Sequence, residues 1–425
     1  MATTSRAKKT PPKSAATTAP KTAGKATGKA AGKATGKAAG KATGKAASKA
    51  ASKAAAKDAD KPAAKSNAPK PAASGTPSAA ELTRMYEQMV LVREFELKAS
   101  EMYARAKIGG YCHLNLGEEA TVVGLMAALK KQDYLFTTYR DHGYALVRGM
   151  TPGAVMAELF GREDGVVGGR GGSMHMFDSE VRMLGGYGIV GGQIPPATGA
   201  ALAIKYRSEP GPESEAVMCL MGDGTVNIGA WHESLNLAGI WDLPIVYVIV
   251  NNRLGMGTTV EAASAEPDLW KRGSAFRIPG VRVDGDDPVA VRDAALAALE
   301  KARVERQPQI VETMTYRLKG HSVVDPAKYR SEADNEEARE NDPVPAFRAA
   351  LLKQKVLTDA AATDIHNQVE KVVAEAVAFA DASPHPDPAD LFKYSWASPV
   401  PNASTALPGD PVMVGATADA MAGAR

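Results

Sequence analysis

Apolar residues recur at Leu82, Met85, Met89, Val92 and Phe95, the alternating three-and-four spacing of one helix face, behind Ser-Ala-Ala-Glu at 78–81, a reciprocal capping sequence. The pattern predicts a helix opening near Ser78. Helical spacing returns over 117–130 and over 151–159, the second started by Thr151-Pro152. Between them DYLFTTYRDHG (133–143) is an apolar and aromatic run ending in polar groups, as suits a strand that delivers side chains to a site. Residues 216–221 and 244–251 (PIVYVIVN) are continuous apolar runs, the mark of strands buried on both faces, with a helical pattern over 227–239 between them. Further strand-like runs at 280–283 and 309–315 flank an alanine-rich helix over 287–306. The alternation predicts an α/β fold with a doubly wound, mainly parallel sheet. By contrast, 165–199 is dense in glycine and predicts a loop whose backbone closely approaches a ligand.

Composition divides the chain. Residues 1–75 hold 17 Lys and Arg against 2 Asp and Glu, or +15, so the total of +3 hides −12 over the remainder. That segment is built from Lys, Ala, Gly, Thr, Ser and Pro, with a near-tetrapeptide repeat over 24–57. With almost nothing to fill a core it predicts a disordered tail, either solubilising or tethering, or binding nucleic acid and other polyanions. Its glycines recur every four residues, which excludes a Walker loop. The expected organisation is a tail at 1–75, one domain over 76–395 and a flexible Pro/Ala/Gly-rich tail at 396–425. Two cysteines, Cys112 and Cys219, exclude a disulfide framework and a cysteine-rich zinc site, and they read as small buried hydrophobes. No apolar run reaches about 18 residues, so neither a membrane span nor a secretory core is predicted. Gly169-Arg-Gly-Gly-Ser-Met is only a broken dinucleotide fingerprint, lacking the sixth-position glycine.

The chemistry sits at strand ends. Gly222-Asp223-Gly224 closes one predicted strand and Asn251-Asn252 the next, with 26 residues between the two motifs. In an open parallel sheet those ends lie side by side, where ligands bind. Asp223 and Asn252 can offer two oxygens to one hard cation, with a backbone carbonyl near Leu254 as a third, while Gly224 and Thr225 open the following helix and favour a phosphate. The expectation is a magnesium diphosphate site.

That spacing is the thiamine diphosphate signature, and GGYCHLNLGEEA (109–120), TTYRDHG (137–143), GGRGGSMHMF (168–177), YGIVGGQIP (187–195), NNRLGMGTTVE (251–261) and TYRLKGHSVVDPAKYR (315–330) narrow it. Over some 300 residues, from about Leu82 to the 387–392 segment, the sequence resembles the alpha subunits of thiamine-diphosphate-dependent 2-oxo acid dehydrogenases, those of the pyruvate dehydrogenase first component foremost. The resemblance implies that Tyr139 and Arg140 contact the cofactor diphosphate, that His321 lies near the diphosphate and reacting centre, and that His113 lines the substrate pocket. It also implies that backbone groups of Gly188 and Val190 hold the aminopyrimidine ring. His142 and His175 have no direct role assigned and read as supports behind the site residues or as structural. By the same resemblance a separate beta subunit completes an α2β2 tetramer serving a lipoyl acyltransferase core, to which the basic tail could tether the chain. Pyruvate is the expected substrate, a branched-chain 2-oxo acid or acetoin the alternative. The polar stretch 321–341 is expected to be a mobile loop; Ser322 stands where mitochondrial members are phosphorylated, and Lys328 replaces a second such serine. The tail is rich in lysine and nearly free of arginine, which favours a bacterial cytoplasm over the mitochondrial matrix.

Overall fold

The computed structural model describes residues 75–393, so the expected tails lie outside the described residues apart from Gly75. In chain order the elements are α1 (Ala79–Ala104), α2 (Glu119–Ala128), β1 (Tyr134–Thr138), α3 (His142–Arg148), α4 (Pro152–Leu159), β2 (Met183–Tyr187), α5 (Ile194–Arg207), β3 (Val217–Gly222), α6 (Gly229–Ile240), β4 (Ile245–Asn251), a ribbon of β5 (Leu254–Gly255) and β6 (Thr258–Thr259), α7 (Val260–Ala263), β7 (Gly280–Asp284), α8 (Pro288–Val304), β8 (Gln309–Met314), α9 (Glu332–Glu340), α10 (Pro343–Lys353) and α11 (Asp359–Ala382). Six strands form one sheet in the order β2-β1-β3-β4-β8-β7, every neighbouring pair parallel. The predicted doubly wound α/β fold is present, and its helices lie on both faces.

Alternation along the central strands explains why they read as continuous apolar runs. Met218 and Leu220 of β3 and Val246, Val248 and Val250 of β4 pack into one core with α1, α2, α4, α8 and α11. Val217, Cys219 and Met221, with Ile245, Tyr247 and Ile249, pack into the other with α5 and α6, around the fully buried Trp231. Both cysteines are buried as expected; burial pushes the Cys112 thiol up to about 12 and raises that of Cys219 as well. At the start of α1 the Ser78 hydroxyl accepts from the Glu81 N–H while the Glu81 carboxylate accepts from the Ser78 N–H, the capping box read from the sequence, worth about 1 kcal/mol. No helix among the described residues is long and apolar enough to cross a membrane.

Two expectations need correction. The glycine-dense stretch 165–199 is not all loop: it contains β2 and the start of α5. As an edge strand of sequence MLGGY, β2 pairs only with β1 and carries little β-forming signal of its own. The polar stretch 321–341 likewise includes α9, which is fixed by a second capping box between Ser331 and Asp334 and buries only Ala338. Its charge hid a helix held by its end rather than by an apolar face.

The true loop between α4 and β2 is built around an internal anion. The buried Glu158 carboxylate accepts four backbone N–H groups, from Val167 and Gly169 on one oxygen (2.9 Å each) and from Gly171 and Gly172 on the other (2.7 and 3.0 Å). Glycine is needed where the wrap is tightest: Gly169 has φ +73°, and a Cβ there would fall 2.6 Å from the Arg162 carbonyl oxygen.

Candidate active site

Five strands deliver residues to the same carboxyl edge of the sheet: Tyr139 and Arg140 after β1, Val190 after β2, Asp223, Gly224 and Thr225 after β3, Asn252 and Leu254 after β4, Arg317 and His321 after β8. Together they line a cavity of about 320 Å³. Nine of the eleven residues singled out from the sequence therefore meet at one place. His113 and Gly188 do not line it. His113 abuts it, its ring 4.4 Å from Tyr139 and 5.2 Å from His321 between centroids. Gly188 lies behind, where a Cβ would press on the His175 ring at 3.1 Å. One placement differs from expectation: Gly224 and Thr225 belong to a short 3-10 turn, Asp223–Asn227, and α6 begins only at Gly229. They face the cavity from that turn and do not open the α-helix.

The paired asparagines divide their work. Asn251 is a strut, its side-chain amide donating to Glu312 Oε1 at 2.7 Å and its Oδ1 accepting from the Arg253 N–H. Asn252 points into the site, its amide donating to Glu118 Oε1 at 2.9 Å. Arg253, in the left-handed region at φ +69°, then turns the chain so that the Leu254 carbonyl faces back. Asn252 Oδ1 and the Leu254 oxygen both accept from a single nitrogen, Arg317 Nη1, the latter at 2.9 Å. Two of the three oxygens assigned to a cation thus already converge on a cationic nitrogen, and the third assigned residue, Asp223, is a buried carboxylate whose pKa burial pushes up to about 6. A buried carboxylate that makes no ion pair among the described residues, with Arg317 easing its charge only through space, fits a hard divalent ion beside two convergent oxygens.

Glu118 and Arg317 are the residues that sequence reasoning missed. Glu118 is buried at the head of α2; it accepts from Asn252 and from Asn115 (3.2 Å) and lies 3.7 Å from Arg140 Nε. Arg140 itself is anchored by backbone oxygens, donating to Leu114 O and, at 2.9 Å, to His321 O. The available signals were a Glu pair opening a strongly apolar helix and an arginine three residues past a buried strand. The chain can pass so closely here because Gly117, at φ +95°, leaves room for the Tyr316 carbonyl 2.2 Å from where a Cβ would stand.

Both imidazoles at the cavity are neutral. Burial, reinforced by Arg140, lowers the His113 pKa to about 3, and burial with Arg140 and Arg317 lowers that of His321 to about 4. Nδ1 of each ring lacks a hydrogen-bond partner, as does Oε1 of Gln193 in the cavity wall. Such atoms are costly unless a ligand completes them. The lowered pKa values also fix a sign: the unfolded chain takes up these two protons near pH 6.5 and the folded chain only near 3 to 4, so their contribution to stability is lost as pH falls through that window. In urea unfolding at pH 7 and pH 5, the wild type should therefore lose more stability on acidification than the His113→Gln/His321→Gln double variant. An equal loss in the two proteins would show that the rings are not held neutral.

Comparison with known proteins adds a lineage to this geometry. A family model described as Dehydrogenase E1 component matches residues 87–389. The chain is 44% identical over 310 residues to the pyruvate dehydrogenase E1 component subunit alpha of Rhizobium meliloti (strain 1021), covering 73% of this chain and 88% of the relative. It is 42% identical over 317 residues to the chloroplastic subunit alpha-3 of Arabidopsis thaliana, covering 74% of each chain, and 40% identical over 316 residues to the subunit alpha of Rickettsia felis, covering 74% of this chain and 96% of the relative.

Proposed function

The chain belongs to the dehydrogenase E1 component family, and from that we propose that it is the alpha subunit of a thiamine-diphosphate-dependent pyruvate dehydrogenase, which decarboxylates pyruvate and passes the acetyl unit to a lipoyl group of an acyltransferase component. The observation that carries the reading to particular atoms is the convergence of Asn252 Oδ1 and Leu254 O on one cationic point beside Asp223, at the carboxyl edge of a parallel sheet. When bound, thiamine diphosphate supplies the electron sink for decarboxylation.

The residues of this chain do the rest. Asp223, Asn252 and the Leu254 carbonyl would hold Mg²⁺, which would neutralise the charge of the diphosphate there. Tyr139, Arg140, Gly224 and Thr225 would face the diphosphate, and the His321 ring lies near both Tyr139 and His113, 5.7 and 5.2 Å away between centroids. The backbone of Val190 would serve the aminopyrimidine ring, with Gly188 packed behind it in the turn after β2. His113 and His321, kept neutral by burial and the nearby guanidinium groups, can each orient a substrate oxygen through the unpartnered Nδ1.

The pyrimidine side of the site is assigned to a beta subunit in an α2β2 tetramer, working in a bacterial cytoplasm with the acyltransferase core, in line with the Rhizobium and Rickettsia relatives. Reductive acetylation of a lipoyl domain tests this. Pyruvate-dependent turnover is expected with the beta subunit and only background without it. A preference for branched 2-oxo acids or acetoin would overturn the substrate, and full turnover by the lone chain would overturn the two-chain site.

A further inference from the structure

The segment that carries His113 has no secondary structure to hold it. Residues 111–115 are irregular, yet Cys112 to Asn115 are buried. Its polar backbone groups are gripped by side chains arriving from elsewhere. The His113 N–H donates to Ser173 Oγ at 3.4 Å, the Leu114 carbonyl accepts from Arg140, and the Asn115 N–H donates to Glu96 Oε1 at 2.9 Å. Two of those three grips belong to one network. Glu96 Oε2 lies 2.9 Å from His142 Nδ1, and His142 Nε2 lies 2.8 Å from Ser173 Oγ and 3.2 Å from the Ser173 carbonyl oxygen. Glu96 and His142 are fully buried and Ser173 is 4% exposed.

Such a network is expensive to keep if it serves only to fill space. A buried carboxylate and imidazole lose their hydration, and apolar side chains of the same volume are often as stabilising or more so. What this network provides is direction: it bridges α1, α3 and the glycine-rich loop, and it closes on both sides of Leu114. On one side stands the imidazole at the edge of the cavity. On the other, the Asn115 side chain accepts from the Gly143 N–H (3.1 Å) and donates to Glu118, which in turn orients Asn252. Against the effect of burial, Glu96, Asp141 and the Ser173 backbone hold the His142 pKa above its usual value, and each ring nitrogen faces an oxygen that can only accept, the Glu96 carboxylate at Nδ1 and the Ser173 carbonyl at Nε2.

We infer that Glu96, His142 and Ser173 are positioning residues for the reaction: they hold the backbone at His113 and thereby aim its ring against Tyr139 and His321, without touching substrate or cofactor themselves. The inference rests on the proposed decarboxylase reading for its kinetic arm and on geometry alone for its structural one.

Ser173→Ala is the mildest probe, because it removes one hydroxyl and leaves the Glu96–His142 pair in place. In the assembled alpha–beta complex it is expected to lower kcat about 10- to 100-fold, the range seen when an outer partner of a site residue is lost, with thiamine diphosphate affinity and Tm unchanged. Ser173→Thr, which keeps the hydroxyl, should restore most of the rate. In a His113→Ala background the same Ser173→Ala change should cost nothing more, since a residue acting through another loses its effect when that other is gone. Full additivity in this cycle would overturn the inference, as would unchanged kcat in Ser173→Ala. If the wild-type complex turned over no 2-oxo acid, the functional reading would fail by itself. The network would then be decided by NMR of the His113 ring in the full-length chain, identified by its loss in His113→Ala: a shifted resonance in Ser173→Ala sustains the inference and an unmoved one ends it.

Discussion

Asp223→Asn is expected to reduce cation-dependent turnover roughly a thousandfold while leaving the fold untouched. The substitution keeps the shape and one oxygen and removes only the charge. Its effect is large because Asp223 is the sole anion in the proposed ligand set, whose other members, Asn252 Oδ1 and the Leu254 carbonyl, are neutral oxygens. Stability should not suffer. The Asp223 pKa is raised by burial to about 6, which means that the folded chain without a cation disfavours the ionised carboxylate, and the asparagine relieves that conflict. Turnover titrated with Mg²⁺ and thiamine diphosphate, beside thermal melts in chelator, separates the two effects. A variant with wild-type turnover would remove Asp223 from the metal site.

Glu118→Leu should do the opposite and unfold the protein before its chemistry can be asked about, at a cost of about 3–5 kcal/mol in urea unfolding. The change leaves the buried Arg140 without its nearby anion and deprives the Asn115 and Asn252 amides of their acceptor. Glu118→Gln, which can still accept one of those bonds, is expected to fold and to weaken cation affinity about 10- to 100-fold through a misplaced Asn252. A loss below about 1 kcal/mol in the leucine variant would show that Arg140 is satisfied by the carbonyls of Leu114 and His321 alone.

The contrast between these two acids marks what could be read from the sequence. Asp223 stands in a motif at the end of an apolar run, and both the run and the motif are local. The same holds for PIVYVIVN, which announces a strand with cores on both sides, and for Asn252, although only tertiary contacts reveal that Asn251 beside it turns to Glu312. Glu118 and Arg317 are charged residues whose burial depends on the 112–118 segment meeting the chain that leaves β8, nearly two hundred residues later, so the local signals at each mark a helix start and a strand end but not the pairing. For β2 the difficulty was composition, since an edge strand with two central glycines carries the signature of a turn. For α9 it was the reverse, a helix so polar that its capping box outweighed its missing apolar face.

The carboxylate at the heart of the 165–172 loop has a consequence for how the molecule tells one anion from another. The glycine-dense loop at 165–172 could attract a phosphate, and Glu158 silences it. With four amides already committed to an internal oxygen pair, that loop has spent the donors a phosphate would need.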